Sequence, residues 1–76
     1  MKKTLDQLGV GQSSKIVKIN CEISLKRRLF ELGLLIDEYV KVLAKSPFKN
    51  TYLLSVKNYT LALRKSILQN IYVEMK

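Results

Sequence analysis

The sequence contains no histidine and no tryptophan, and it has one cysteine and one proline among its 76 residues. Zinc fingers and iron–sulfur clusters need several Cys or His ligands at fixed spacings, so these centres are excluded. A Cys–His nucleophile pair is excluded because there is no histidine. A disulfide framework is excluded because Cys21 has no second cysteine with which to pair, and a free thiol fits a reducing compartment.

Long apolar stretches are also missing. The longest one, at 32–36, has five residues, whereas a membrane-spanning helix needs about 20. Lys2 and Lys3 open the sequence in the way that a signal peptide does, but Asp6 and Gln7 then interrupt the apolar stretch that such a peptide requires. We therefore expect a soluble, cytoplasmic protein that does not insert into a membrane.

Acidic residues are few, with 6 against 14 lysines and arginines, which gives a net charge of +8. Such a balance favours an acidic partner, which could be nucleic acid, an anionic membrane surface or an acidic protein. The carboxylates are scattered along the chain and there is no histidine to act as a base, so no acid–base pair is indicated. No glycine-rich phosphate loop is present either. We predict that the protein is not an enzyme and holds no cofactor or metal.

One helix is predicted at about 24–33. Apolar residues at spacings of four and three form a single stripe along it: Leu25, Leu29 and Leu32. Ser24 is a suitable N-cap, and Gly33 can adopt the left-handed conformation that ends a helix. Leu34 would then fold back in a Schellman contact.

The remaining chain alternates between apolar and polar residues, which predicts five strands at 15–20, 39–45, 51–57, 60–64 and 71–74. The alternation places Val17 and Ile19 on one face of the first strand and Ile16 on the other, so both faces of this strand could be buried. On the second strand it places Ala44 on the same face as Val40 and Val42. A loop is predicted at 46–50, a turn at 58–59 and a single helical turn at 66–69. Strands this short suit a small, mostly β, partly open antiparallel barrel that forms one domain over residues 1–76.

Four segments together resemble a known family. The opening at 5–11 has a leucine pair followed by glycine, and residues 27–34 have the form R-R-L-x-x-L-G-L. The segments at 59–64 and 71–73 resemble closing strands of the same family, which is FeoA. The resemblance implies an SH3-like barrel with the helix inserted after the first strand. It also implies a cytosolic role in bacterial ferrous-iron uptake, through the GTPase domain of the FeoB transporter.

The chain departs from the family pattern at two loop positions. FeoA proteins often have glycine where this chain has Asp37, and proline where it has Thr51. Both departures affect the expected loop conformation and leave the predicted fold unchanged.

The predicted helix carries our candidate partner-binding surface. At 100° per residue, Lys26, Arg27 and Phe30 lie well away from the buried stripe. We expect Phe30 to be partly exposed beside cations, with Leu34 and Leu35 in the following loop. An exposed aromatic ring flanked by cations is typical of protein–protein contact sites. The alternative is that Phe30 packs against a neighbouring loop and the cations are merely solvated.

These observations lead to one prediction and two alternatives. We predict a small accessory protein that binds the cytoplasmic domain of FeoB. A small basic barrel that binds nucleic acid is less well supported, because Tyr39 and Tyr72 are the only candidates for base stacking and the strand cations are evenly spread. A metal-responsive SH3-like domain is also less well supported, because potential metal ligands do not cluster in the sequence.

Overall fold

The computed structural model describes residues 2–48 and 50–74. These residues form six strands, two α-helices and a 3₁₀ turn at Leu5–Gln7. The strands are β1 (Lys2–Thr4), β2 (Ser13–Ile19), β3 (Tyr39–Lys45), β4 (Thr51–Val56), β5 (Tyr59–Arg64) and β6 (Ile71–Glu74). The helices are α1 (Ile23–Glu31) and α2 (Lys65–Leu68). No helix in the described ranges is long and apolar enough to cross a bilayer.

All six strands belong to one antiparallel sheet with the order β1-β6-β2-β3-β4-β5. The prediction of five strands was wrong, because β1 has no alternating pattern and becomes a strand only by pairing with β6. The predicted mostly β, antiparallel fold with an inserted helix is confirmed, but the sheet is not a closed barrel, since β1 and β5 do not pair with each other and the described sheet stays open at two edges.

Short helical elements hold the two ends of the sheet together. The 3₁₀ turn contacts both α2 and β6. The same turn is also bonded to β4, because the buried Tyr52 donates a hydrogen bond of 2.8 Å from its hydroxyl to the backbone carbonyl of Asp6. A buried hydroxyl needs such a partner, so this bond fixes the turn against the sheet.

Two β-bulges change which side chains face the core. β2 bulges at Val17, so Ile16 and Ile19 are both buried, and Val17 does not share a face with Ile19 as predicted. β3 bulges at Leu43, which leaves Ala44 exposed where strict alternation predicts it inside. A bulge inserts one unpaired residue and so reverses the alternation beyond it.

The core is formed by residues of the sheet, the two α-helices and the 3₁₀ turn. It contains residues from four strands together with Leu29 of α1, Leu68 of α2 and three loop or turn leucines. Its buried apolar members are Leu5, Leu8, Ile16, Ile19, Leu29, Leu34, Val40, Val42, Tyr52, Leu54, Val56, Leu68, Ile71 and Val73. Helix α1 packs on this core through Leu29, with Leu25 half-buried beside it.

The end of α1 confirms the predicted Schellman motif. Gly33 has φ +91°, and its N–H donates to the carbonyl of Phe30 at 3.0 Å. The N–H of Leu34 donates to the carbonyl of Leu29, also at 3.0 Å. The start of the helix was predicted less well, because the N-cap is Glu22 and Ser24 lies in the first turn.

The hairpin between β4 and β5 turns at residues 57–58, one position earlier than predicted. Lys57 takes the left-handed conformation with φ +53°, and Tyr59 is already paired with Val56. The Tyr59 hydroxyl lies against Gly33 so closely that a Cβ atom at Gly33 would collide with it. The side chain of Tyr59 thus contacts the end of α1.

Candidate functional site

An open groove of about 620 Å³ runs along one side of α1. We call it the phenylalanine groove, and its lining residues are Val17, Lys18, Ile19, Lys26, Phe30, Leu34, Leu35 and Ile36. Its walls come from α1, from the bulged part of β2 and from the loop that follows the helix. Only two of these side chains are charged, and both are lysines, so the surface is apolar with a positive rim.

Phe30 is the most prominent side chain of this groove. It lies one helical turn after Lys26, so the two residues share a face of α1. Phe30 is 66% exposed and Ile36, across the groove, is 51% exposed. The alternative that Phe30 packs against a neighbouring loop does not fit this exposure.

Four of the five predicted site residues line the phenylalanine groove: Lys26, Phe30, Leu34 and Leu35. Their roles differ, because Leu34 is 1% exposed and belongs to the core, so it forms the floor of the groove. Arg27 is exposed but does not line the groove. Sequence reasoning missed Ile36, although it ends the longest apolar stretch. It also missed Val17, whose position depends on a bulge that the sequence pattern does not reveal.

The loop that carries Leu35 and Ile36 is held by backbone hydrogen bonds to β2. Asp37 donates its N–H to the carbonyl of Ile16 at 2.7 Å, and Ile16 donates to the carbonyl of Glu38 at 2.9 Å. Asp37 has φ +73°, which is the conformation that glycine adopts most easily. The chain therefore keeps a left-handed residue at the position where FeoA proteins often have glycine.

Thr51, the second departure from the family pattern, has a different structural use. Its N–H donates to the side-chain oxygen of Ser46 at 3.2 Å, and its carbonyl accepts from the Ser46 N–H at 2.8 Å. The N–H of Asn50 donates to the same Ser46 oxygen. A proline at 51 could not donate, so this loop uses a bond that the family's proline would remove.

A second groove of about 560 Å³ lies on the other side of α1, between this helix and strand β5. We call it the edge groove, and it is lined by Leu25, Arg28, Leu29, Leu32, Ala62, Leu63, Arg64 and Ile67. It shares no lining residue with the phenylalanine groove. Its charged side chains are two arginines, so both grooves that flank α1 carry positive charge.

Within residues 2–48 and 50–74, no group of three or more His, Cys, Asp or Glu residues is placed to hold a metal ion. Cys21 is half-buried and packs against the core. Of the two tyrosines considered for base stacking, Tyr39 is exposed and Tyr72 is half-buried.

Comparison with protein families gives one match over almost the entire chain. The sequence model of the FeoA domain matches residues 3–75. No curated protein sequence matches significantly.

Several solved structures share the fold. A FeoA-like protein from Clostridium acetobutylicum aligns over 97% of this chain and 86% of its own, with 24% identity and a TM-score of 0.89. An iron uptake regulatory protein, also a FeoA, aligns over 97% and 96% of the two chains, with 22% identity and a TM-score of 0.86. A manganese-dependent transcriptional repressor has 20% identity and a TM-score of 0.90 over 99% of this chain, but only 42% of the repressor is covered.

Proposed function

Because this chain belongs to the FeoA family, we propose that it is a small accessory protein of bacterial ferrous-iron uptake that binds the cytoplasmic GTPase domain of the FeoB transporter. The similarity to an iron uptake regulatory protein supports the role in iron uptake. The proposed role is one of protein–protein contact in the cytoplasm, without catalysis and without a resident cofactor.

The observation that carries this proposal is the exposure of Phe30 at the side of an apolar groove. Large aromatic side chains that enter a partner's pocket supply much of the binding energy of protein interfaces. We propose Phe30 as the anchor, with Lys26 and Arg27 as flanking cations that attract an acidic surface. Leu35 would extend the apolar contact, and Leu34 would support it from below.

The test is capture of the FeoB cytoplasmic domain by the purified protein at low and moderate salt. We expect Phe30→Ala to weaken binding by roughly tenfold or more. Lys26→Glu should weaken binding most at low salt, where the attraction between exposed charges is least screened. Phe48→Ala is the matched control, because Phe48 is 88% exposed in the β3–β4 loop and does not line the groove.

Circular dichroism of each variant separates loss of binding from loss of fold. Normal capture by both groove variants would show that the partner binds elsewhere. Failure of the unmodified protein to capture the domain at either salt would contradict the proposed partner. Oligonucleotide binding that weakens steeply with salt would then support the nucleic-acid alternative, and stoichiometric heat with ferrous iron would support the metal-responsive one.

A further inference from the structure

Strand β5 is a free edge of the described sheet, because it pairs only with β4. The two-residue turn makes Val56 and Tyr59 the closing pair of the hairpin, which exchanges both of its hydrogen bonds. Since bonded pairs alternate along an antiparallel ladder, Thr60 and Ala62 direct their N–H and C=O groups away from β4. In the described part of the chain these groups have no other hydrogen-bond partner.

The inner face of this edge strand is also incompletely covered. Leu61 and Leu63 are half-buried, whereas their cross-strand partners Leu54 and Tyr52 are buried in the core. The uncovered part of Leu63 faces the edge groove, whose opposite wall is α1. An extended segment in that groove could bond to the β5 backbone at Ala62 and cover Leu63, and its continuation along the strand edge would reach Thr60 and Leu61.

The charge of the groove indicates the kind of segment that would fit. Arg28 and Arg64 line it, and no acidic side chain does. A second copy of β5 would bring another Arg64 and the following Lys65 to the same place, in a chain that carries +8. Acidic residues in the segment would pair with the arginines, whereas a second copy would be repelled.

We propose that β5 binds an extended, acidic peptide segment of a partner protein by β-strand addition, with the segment lying in the edge groove between β5 and α1. The main-chain bonds come from Thr60 and Ala62, and alternate apolar side chains of the segment cover Leu61 and Leu63. This site lies on the other side of α1 from the phenylalanine groove, so it does not depend on the proposed contact with FeoB.

The probe is a synthetic seven-residue peptide of alternating valine and threonine with glutamate at both ends. It is titrated into the ¹⁵N-labelled full chain, with chemical shifts and amide hydrogen exchange as readouts. We expect shifts along β5 and slower exchange of the Thr60 and Ala62 amides. A probe with an N-methyl group on every backbone amide has no N–H to donate on either of its edges, so it cannot pair with the strand edge and should not bind. A probe ending in lysine should bind about tenfold more weakly.

Variants of the protein test the same contacts. Ala62→Pro removes an N–H that points away from β4 and leaves the ladder intact, so proline is tolerated there. We expect it to weaken binding about tenfold. Ala62→Val keeps the N–H and is the matched control. Arg64→Glu should weaken binding and reduce its salt dependence, with Arg28 left as the remaining cation of the groove. If Ala62→Pro does not fold, the N-methylated probe still gives the decisive comparison.

Three outcomes would overturn the proposal. Equal binding of the N-methylated probe would show that backbone pairing is not involved. If chemical-shift changes were confined to the phenylalanine groove, or if none appeared, the peptide would not bind at β5. A concentration-dependent dimer that protects Thr60 and Ala62 without any peptide would identify a second copy as the occupant.

Discussion

The two grooves beside α1 differ in what they offer to a partner. The phenylalanine groove presents a side chain, Phe30, that stands out from the surface. The edge groove presents unpaired main-chain groups of β5 beside an apolar wall. Side-chain anchors select a complementary pocket, whereas a strand edge accepts many extended sequences and takes its specificity from the surrounding charges and side chains. One helix of nine residues thus separates two surfaces suited to different partners.

The grooves also differ in how their walls are built. One wall of the phenylalanine groove is the irregular loop with Leu35 and Ile36, which depends on the left-handed conformation of Asp37. The corresponding wall of the edge groove is a regular strand, which depends on the left-handed Lys57 in its hairpin turn. Substitutions in α1, at its C-terminal end and in these two turns therefore show which structural elements each groove depends on.

The largest effect is expected from Leu29→Ala, since Leu29 is the buried contact of α1 with the core and supports both grooves. Removal of its side chain should lower the free energy of unfolding by about 3 kcal/mol. The neighbouring Phe30→Ala should lower it by less than about 0.5 kcal/mol, because Phe30 is mostly exposed. Urea denaturation measures both values, and similar losses for the two variants would contradict the described orientation of α1.

A smaller effect is expected from Gly33→Ala, which changes the point where α1 ends. The left-handed conformation and the collision with the Tyr59 hydroxyl should together cost about 2 kcal/mol. Adding Tyr59→Phe removes the hydroxyl, so the double variant should recover part of this loss. Thermal denaturation of the single and double variants gives the coupling between the two positions. Strict additivity would show that the tyrosine does not restrict Gly33.

The smallest effects are expected from glycine at the two left-handed turn residues. Asp37→Gly should stabilise the protein by about 0.5 kcal/mol, because glycine adopts this conformation without strain. Its ion pair with Lys15 is long, at 3.9 Å, and exposed, so little is lost. Lys57→Gly should stabilise less, because Lys57 pairs with the half-buried Glu38 at 3.4 Å. Urea denaturation midpoints compare the stability of the two variants. A larger gain for Lys57→Gly than for Asp37→Gly would contradict the greater importance given to the ion pair of Lys57.

The parts of the fold that local chemistry determines were predicted well from the sequence. The end of α1 follows from a glycine after a helical stripe, and the strands at 39–45 and 71–74 follow from alternation. The errors arise where pairing between strands that are far apart in the sequence determines the structure. β1 is a strand only because β6 lies beside it, and the bulges at Val17 and Leu43 depend on register between strands.

The candidate site shows the same division. The exposure of Phe30 could be predicted, because helical geometry alone turns it away from the buried stripe. Leu34, predicted as part of the partner-binding surface, is buried because the Schellman motif folds it onto the core, so it can only support that surface from below. The edge groove was not predicted at all, because it requires β5 to lie at the edge of the sheet, and strand order is a property of the complete fold.

The position of β6 between β1 and β2 has a consequence for synthesis of the chain. As the protein leaves the ribosome, β3, β4 and β5 can pair in sequence, each with the strand made just before it. β2 pairs with β3 along Ser13–Lys15, and Ile16 bonds to Asp37 and Glu38 just before β3, whereas Lys18 and Ile19 wait for β6, the last of the described strands to emerge. Ile19 therefore stays without its strand partner Ile71 until translation has nearly reached the end of the described chain, and this is the interval in which aggregation or a chaperone competes with folding.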